Sequence, residues 1–114
     1  MLVILDTNFI IYCITNKIDI QSSISDALDT NFELAIVDAT LDELTKLGDK
    51  IALKIVKNFI EIKTKKDKIV DDLILDIVDK KTIVATNDLE LRKKLKVKGI
   101  KTLVVRQKKY IKEI

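Results

Sequence analysis

The chain alternates between short, wholly apolar runs and longer stretches in which apolar residues recur every three or four positions. Leu2 to Leu5 is continuous and apolar with β-branched members, the pattern of a strand buried on both faces, and it stops on Asp6. Leu34 to Val37 is a second such run and stops on Asp38, while Thr82 to Thr86 is followed by Asn87 and Asp88. Between them the spacing predicts helices. Phe9, Ile10, Cys13 and Ile14 form one inward face, with Asp6 or Thr7 as its cap. Ser22 to Leu28 reads as a helix capped by Ser22 or Ser23. Thr40 to Leu47 is ended by Gly48, and the helix resumes over Asp49 to about Asn58. Asp67 to Lys80 and Leu89 to Lys98 are two more helices, the second stopped by Gly99. Phe59 to Lys63 alternates like a short edge strand, and Lys101 to Val105 is a last strand. Strands alternating with helices predict an α/β fold of three layers, with a central parallel sheet of four to five strands and helices on both faces. No repeat, linker or low-complexity segment divides residues 1–114, so one domain is expected. In open α/β sheets ligands bind outside the carboxyl ends of the strands, where Asp6, Asp38 and Asp88 all fall.

Composition removes many chemistries. With 47% hydrophobic and 34% charged residues the chain is globular rather than disordered. It has no histidine, which excludes Ser-His and Cys-His nucleophilic pairs and His-ligated zinc. Its two glycines, Gly48 and Gly99, leave no glycine-rich loop for a nucleotide phosphate. Cys13 is alone among apolar residues, and packing is its expected role. No apolar run approaches the ~20 residues that span a bilayer, and the N-terminus lacks the order of a signal peptide, so the expectation is a cytoplasmic protein with no membrane association. Carboxylates, hydroxyls, amides and lysines remain for chemistry.

Among the carboxylates, position separates candidates from solvated acids. In VDDLILDIVDK, a helix at ~100° per residue gathers Val70, Leu73, Ile74, Ile77 and Val78 into one arc and sends Asp72, Asp76 and Asp79 to the opposite face. Asp71 falls inside the apolar flank, where a charge is costly unless paired or metal-bound. Glu43 borders the stripe of Leu41, Leu44 and Leu47, but Thr40-Leu41-Asp42-Glu43 is also a capping box, and pattern alone leaves both roles open. Asp6 and Asp88, taken singly, are explained as helix caps, and Thr7, Asn8, Thr86 and Asn87 as turn residues. Convergence of four acids from separate segments would need a cation, and all-oxygen ligation favours Mg²⁺ or Mn²⁺.

Charge is unevenly spread. Residues 90–114 carry ten Lys or Arg against two acids, a net of +8, and the remainder carries −5. An acidic site beside a basic quarter suits a polyanion whose phosphate meets metal while its flanks meet cations. The candidates for those contacts are Arg92, Lys93, Lys96, Arg106, Lys108, Lys109 and Lys112. Tyr110, in RQKKYIK, either stacks on a base or closes the core.

The ordered set LDTNFII, DELTKLG, DDLIL and VATNDLELRKKL, with VVRQKKYIKEI at the end, resembles the PIN-domain family of metal-dependent ribonucleases over nearly the whole chain. The likeness is strongest to its small archaeal members and to the branch that matures eukaryotic small-subunit ribosomal RNA. The resemblance implies an acidic quartet of Asp6, Glu43, Asp71 and Asp88, with Asn8, Asp72, Thr86 and Asn87 in support. It also implies Mg²⁺ or Mn²⁺ as cofactor and single-stranded regions of ribosomal RNA as substrate. The long insertion or Cys/His metal module of some larger relatives is missing, so substrate delivery through a homodimer or protein partner is expected. Other readings are a toxin ribonuclease of a toxin-antitoxin pair, an inert RNA-binding or assembly subunit, and a phospho-receiver domain using Asp38.

Overall fold

A computed structural model describes all 114 residues. Four apolar runs become parallel strands because each can be buried on both faces: β1 (Leu2–Leu5), β2 (Glu33–Val37), β4 (Thr82–Ala85) and β5 (Lys101–Arg106). The short β3 (Ile60–Ile62) adds a parallel edge to β2. A sixth strand, β6 (Tyr110–Glu113), turns back antiparallel on β5, giving the order β3-β2-β1-β4-β5-β6. The sheet is thus mixed and one strand larger than the pattern predicts. The hidden strand, YIKE, has Ile111 as its only buried residue, and the turn before it contains neither glycine nor asparagine.

Six helices flank the sheet: α1 (Thr7–Thr15), α2 (Ile20–Ala27), α3 (Asp38–Leu47), α4 (Lys50–Val56), α5 (Val70–Ile77) and α6 (Leu89–Val97). Two apolar clusters show the three layers. Phe9, Ile10, Cys13 and Ile24 pack with Leu5, Ile36 and Leu103 on one face of the sheet. On the other, Val70, Ile74, Leu91 and Leu95 pack with Ile4, Val37 and Val84.

Several boundaries differ from the pattern, each for a local reason. Asp19 caps α2 by accepting from the Ser22 amide at 2.9 Å, so the helix starts before the serines. Helix α3 begins at Asp38 with no side-chain cap, which places Thr40 inside the helix and leaves the capping box, one of the two roles open to Glu43, unformed. Helix α5 is shorter than Asp67 to Lys80: Lys66 takes a positive φ of 52° before it, and Val78 is already extended after it.

The order of connection reverses between β1 and β4, which leave in opposite directions across the sheet. Such a switch point opens a crevice at the carboxyl ends of the two strands. Asp6 follows β1 and Thr86 follows β4, so the crevice is walled by acids and hydroxyls.

Candidate active site

Asp6 is at the centre of the crevice. Its backbone amide continues the ladder to Ala85 O at 3.2 Å, and its side chain caps α1, Oδ1 accepting from the Phe9 amide at 2.6 Å. Oδ2 accepts from the Thr86 hydroxyl, which in turn accepts from the Asp88 amide at 3.0 Å. The cap reading of the sequence therefore holds, and it does not exhaust the residue. Each carboxylate oxygen can accept more than one bond, so both retain capacity. Asp6 is only 3% exposed. Burial pushes its pKa up to about 6, the Thr86 hydroxyl and Phe9 amide pull it down, and the charges of Asp71 and Asp88 push it up again.

Around it stand acids from three helices. Glu43, in the second turn of α3, accepts from the Thr7 hydroxyl at 2.5 Å, and Thr7 Oγ1 lies 3.2 Å from that of Thr40. Asp71, in the first turn of α5, is half-buried; burial first, then the charges of Asp88, Asp72 and Glu43, hold its carboxyl above the usual range, with Lys94 opposing. Asp88 caps α6, its Oδ1 accepting from the Leu91 amide at 2.8 Å. A depression of about 250 Å³ is lined by Asp6, Thr7, Asn8, Glu43, Val70 and Asp71, with Ile69 at its edge. Asp88 is outside that lining but its charge acts on both Asp6 and Asp71. None of the molecule's three ion pairs involves one of these acids.

The other sequence candidates divide. Asn8 is exposed at the lip of the depression. Asn87 has a different task, its Oδ1 accepting from the Val105 amide at 2.8 Å and holding β5 against the end of β4. Asp72 is half-buried and acts on Asp71 through charge. Asp38 is only 5% exposed and more fully bonded than Asp6: Oδ1 accepts from the Thr64 hydroxyl at 2.6 Å and the Ala39 amide at 2.9 Å, and Oδ2 from the Thr64 amide at 2.9 Å. Three bonds tie the Asp38 carboxylate to Thr64 and Ala39, and it does not line the depression that holds Asp6, Glu43 and Asp71. The sequence offers Thr7 and Thr40 only as cap or turn residues, not as partners of Glu43 across the site, and nothing in the local pattern of LRKKL marks Lys94 apart from its neighbours.

The donor set fits a hard divalent cation. It is all oxygen, it carries mutually repelling acids, and Lys94 is the one cation opposing them at Asp71. No three carboxylates stand close enough for a finished ligand cage. Mg²⁺ does not demand one, since it is commonly held by one or two carboxylates and keeps several waters.

Residues 3–108 match the model of the PIN-like domain family, and the chain belongs to that family. It is 39% identical to Ribonuclease VapC4 of Methanocaldococcus jannaschii, covering 92% of this chain and 90% of that one. It is 39% identical to the rRNA-processing protein fcf1 of Schizosaccharomyces pombe, over 90% of this chain and 58% of the relative. With FCF1 of Saccharomyces cerevisiae the identity is 37%, over 96% of this chain and 62% of the relative. The chain thus spans about 60% of the rRNA-processing relatives. The solved structure of the PIN domain endonuclease Utp24 superposes with a TM-score of 0.88 at 37% identity, covering 98% of this chain and 90% of that one. No helix is long and apolar enough to cross a membrane.

Proposed function

We propose that this chain is a divalent-metal-dependent endoribonuclease that hydrolyses RNA phosphodiesters in single-stranded regions, with ribosomal RNA processing as its setting. The observation that carries the reading is the gathering of Asp6, Asp71, Asp88 and Glu43 at the switch point, with charges that act on one another and without ion-pair partners. Asp6, Asp71 and Asp88 would hold Mg²⁺ or Mn²⁺, with Glu43 direct or through water. When bound, the ion supplies Lewis-acid stabilisation of charge building on the phosphodiester and lowers the pKa of an attacking water.

The chain's own residues do the positioning. The Phe9 amide and Thr86 hydroxyl fix the plane of the Asp6 carboxyl, so it does not need to reorganise when substrate arrives. The hydrogen bond between Thr7 and Glu43 ties the first turn of α1 to α3 across the depression. No side chain needs to act as covalent nucleophile, which suits a chain without histidine.

A toxin ribonuclease is the second reading, and the near end-to-end match to the archaeal ribonuclease VapC4 favours it. Mapping RNA ends made in cells by the wild type and absent with Asp6→Asn separates the two: ends at ribosomal RNA processing sites fit maturation, and ends in transfer RNA or mature ribosomal RNA with growth arrest fit a toxin. The basic test is cleavage of a single-stranded oligoribonucleotide with Mn²⁺ or Mg²⁺, lost on chelation, restored by the metal and abolished by Asp6→Asn. A folded wild type that binds metal by calorimetry but cleaves no RNA would reduce the chain to a binding subunit.

A further inference from the structure

The register of the β5–β6 hairpin sorts the basic residues of the C-terminal quarter onto different faces. Residues directly opposite in an antiparallel pair point to the same side. Val104 pairs with Lys112 and Arg106 with Tyr110, and Thr102 exchanges backbone bonds with Ile114. These six lie on the side of α6. The alternate residues face the other way: Leu103, Val105 and Ile111 join the core beneath α1 and α2, and Lys101 and Glu113 border a separate depression beside Ala27 and Leu28.

Between α6 and the hairpin runs a groove of about 310 Å³, lined by Leu89, Arg92, Lys93, Lys96, Ile100 and Thr102, with Ile114 closing its far end. Every charged side chain in its lining is a cation, and none is ion-paired. Arg92 Nε is buried with no hydrogen-bond partner. Leu89, 56% exposed, directly follows Asp88, so the groove opens beside the acids and leads away along two turns of α6. Two turns span about 10 Å, room for roughly three phosphates at the ~3.4 Å spacing of a stacked strand. Above it, at the carboxyl end of the sheet, Arg106 and the 44% exposed Tyr110 stand side by side, anchored through the Asn87 to Val105 hydrogen bond.

We propose that this groove is the track for single-stranded RNA flanking the cleaved bond, with phosphates on Arg92, Lys93 and Lys96 and a base stacked on Tyr110 beside Arg106. The inference rests on the ribonuclease reading and adds where the strand lies. An aromatic ring next to a guanidinium suits a base, whereas an acidic protein segment would use the cations and leave the ring idle. Lys108 and Lys109 are in the turn at the tip and are outside the track.

The test is binding of a fluorescent single-stranded oligoribonucleotide to Asp6→Asn protein in chelator, across a salt series, so that cleavage plays no part. Arg92→Gln/Lys93→Gln/Lys96→Gln should bind about tenfold more weakly and lose up to about 2 from the slope of log affinity against log salt. Tyr110→Leu should weaken binding about fivefold or more at unchanged slope, and Tyr110→Phe should restore it. A control that removes as much charge toward the amino end of the sheet, Lys54→Gln/Lys57→Gln/Lys101→Gln, should retain most of the affinity. Should the groove triple melt early, Lys93→Gln/Lys96→Gln, both at exposed positions, carries the same test with two-thirds of the slope loss. Equal losses in groove and control variants would overturn the proposal, as would polyglutamate competing as well as polyuridylate at equal charge. If wild type cleaves no RNA yet binding still depends on the groove, the track stands and the nuclease reading falls.

Discussion

Asp6 and Asp38 end neighbouring parallel strands, both are buried, and their surroundings push them in opposite directions. For Asp38 burial is outweighed by the hydroxyl and amide of Thr64, the Ala39 amide and Lys66, and its carboxyl is held below the usual range. Its stabilising contribution is present at neutral pH and is lost as acid protonates it. Asp6 has the reverse sign. Its folded pKa of about 6 exceeds the ordinary 3.8, so the folded state holds the proton more tightly and stability falls as pH rises from about 4 to about 6. The shift corresponds to ~3 kcal/mol at neutral pH. We therefore expect Asp6→Asn, in chelator, to gain stability over wild type at pH 7 and to match it near pH 4; a difference constant across that range would remove Asp6 as the source. Asp71 and Asp72 give the sharpest neighbouring contrast, because Asp71 lines the depression and Asp72 does not. Asp71→Asn should lower cleavage on the order of 10²-fold or more and Asp72→Asn by only a few fold, with both variants fully folded at the assay temperature. Similar losses in both would place the two acids in one electrostatic cluster rather than one ligand beside a bystander.

At the scale of elements, period was legible and partnership was not. The flank position of Asp71 could be read because a helix with five apolar residues on one arc fixes where every other side chain points. The bond from Thr7 to Glu43 could not, because it joins residues 36 positions apart whose local patterns each have a sufficient explanation as turn or cap. Strand β6 escaped notice for a third reason: its alternation has one apolar member, and its turn uses Gln107 and Lys108, both at φ 55°, where asparagine and glycine are the usual signal. Side chains at such angles are strained by roughly 1 kcal/mol each. Gln107→Asn/Lys108→Gly should accordingly raise the melting temperature by a few degrees, at about 1 kcal/mol of stabilisation. A lowered melting temperature would mean that these side chains make compensating contacts, and that the hairpin is not held by its backbone geometry.

The molecule as a whole separates its charge: acids gather at the switch point, cations occupy the C-terminal quarter, and the fold brings the two beside each other along α6. Acids that raise one another's pKa oppose the folded state, and a cation bound only by the folded site reverses that opposition by mass action. At a hundredfold excess over its dissociation constant, such an ion adds about 2.7 kcal/mol, a rise of roughly 10 °C for a domain of this size. Protons compete for the same oxygens, so the rise should be full at pH 8 and shrink as pH falls through about 6. Melting curves with Mn²⁺, Mg²⁺ and chelator at pH 5, 6.5 and 8 measure this without reference to RNA. Asp6→Asn and Asp71→Asn should flatten the metal response, whereas Arg92→Gln/Lys93→Gln/Lys96→Gln should leave it intact because those cations lie in the groove and not among the acids. A metal-induced rise that is the same at pH 5 and pH 8, or that survives both aspartate changes, would locate cation binding elsewhere on the acidic surface and detach the metal from the switch-point acids.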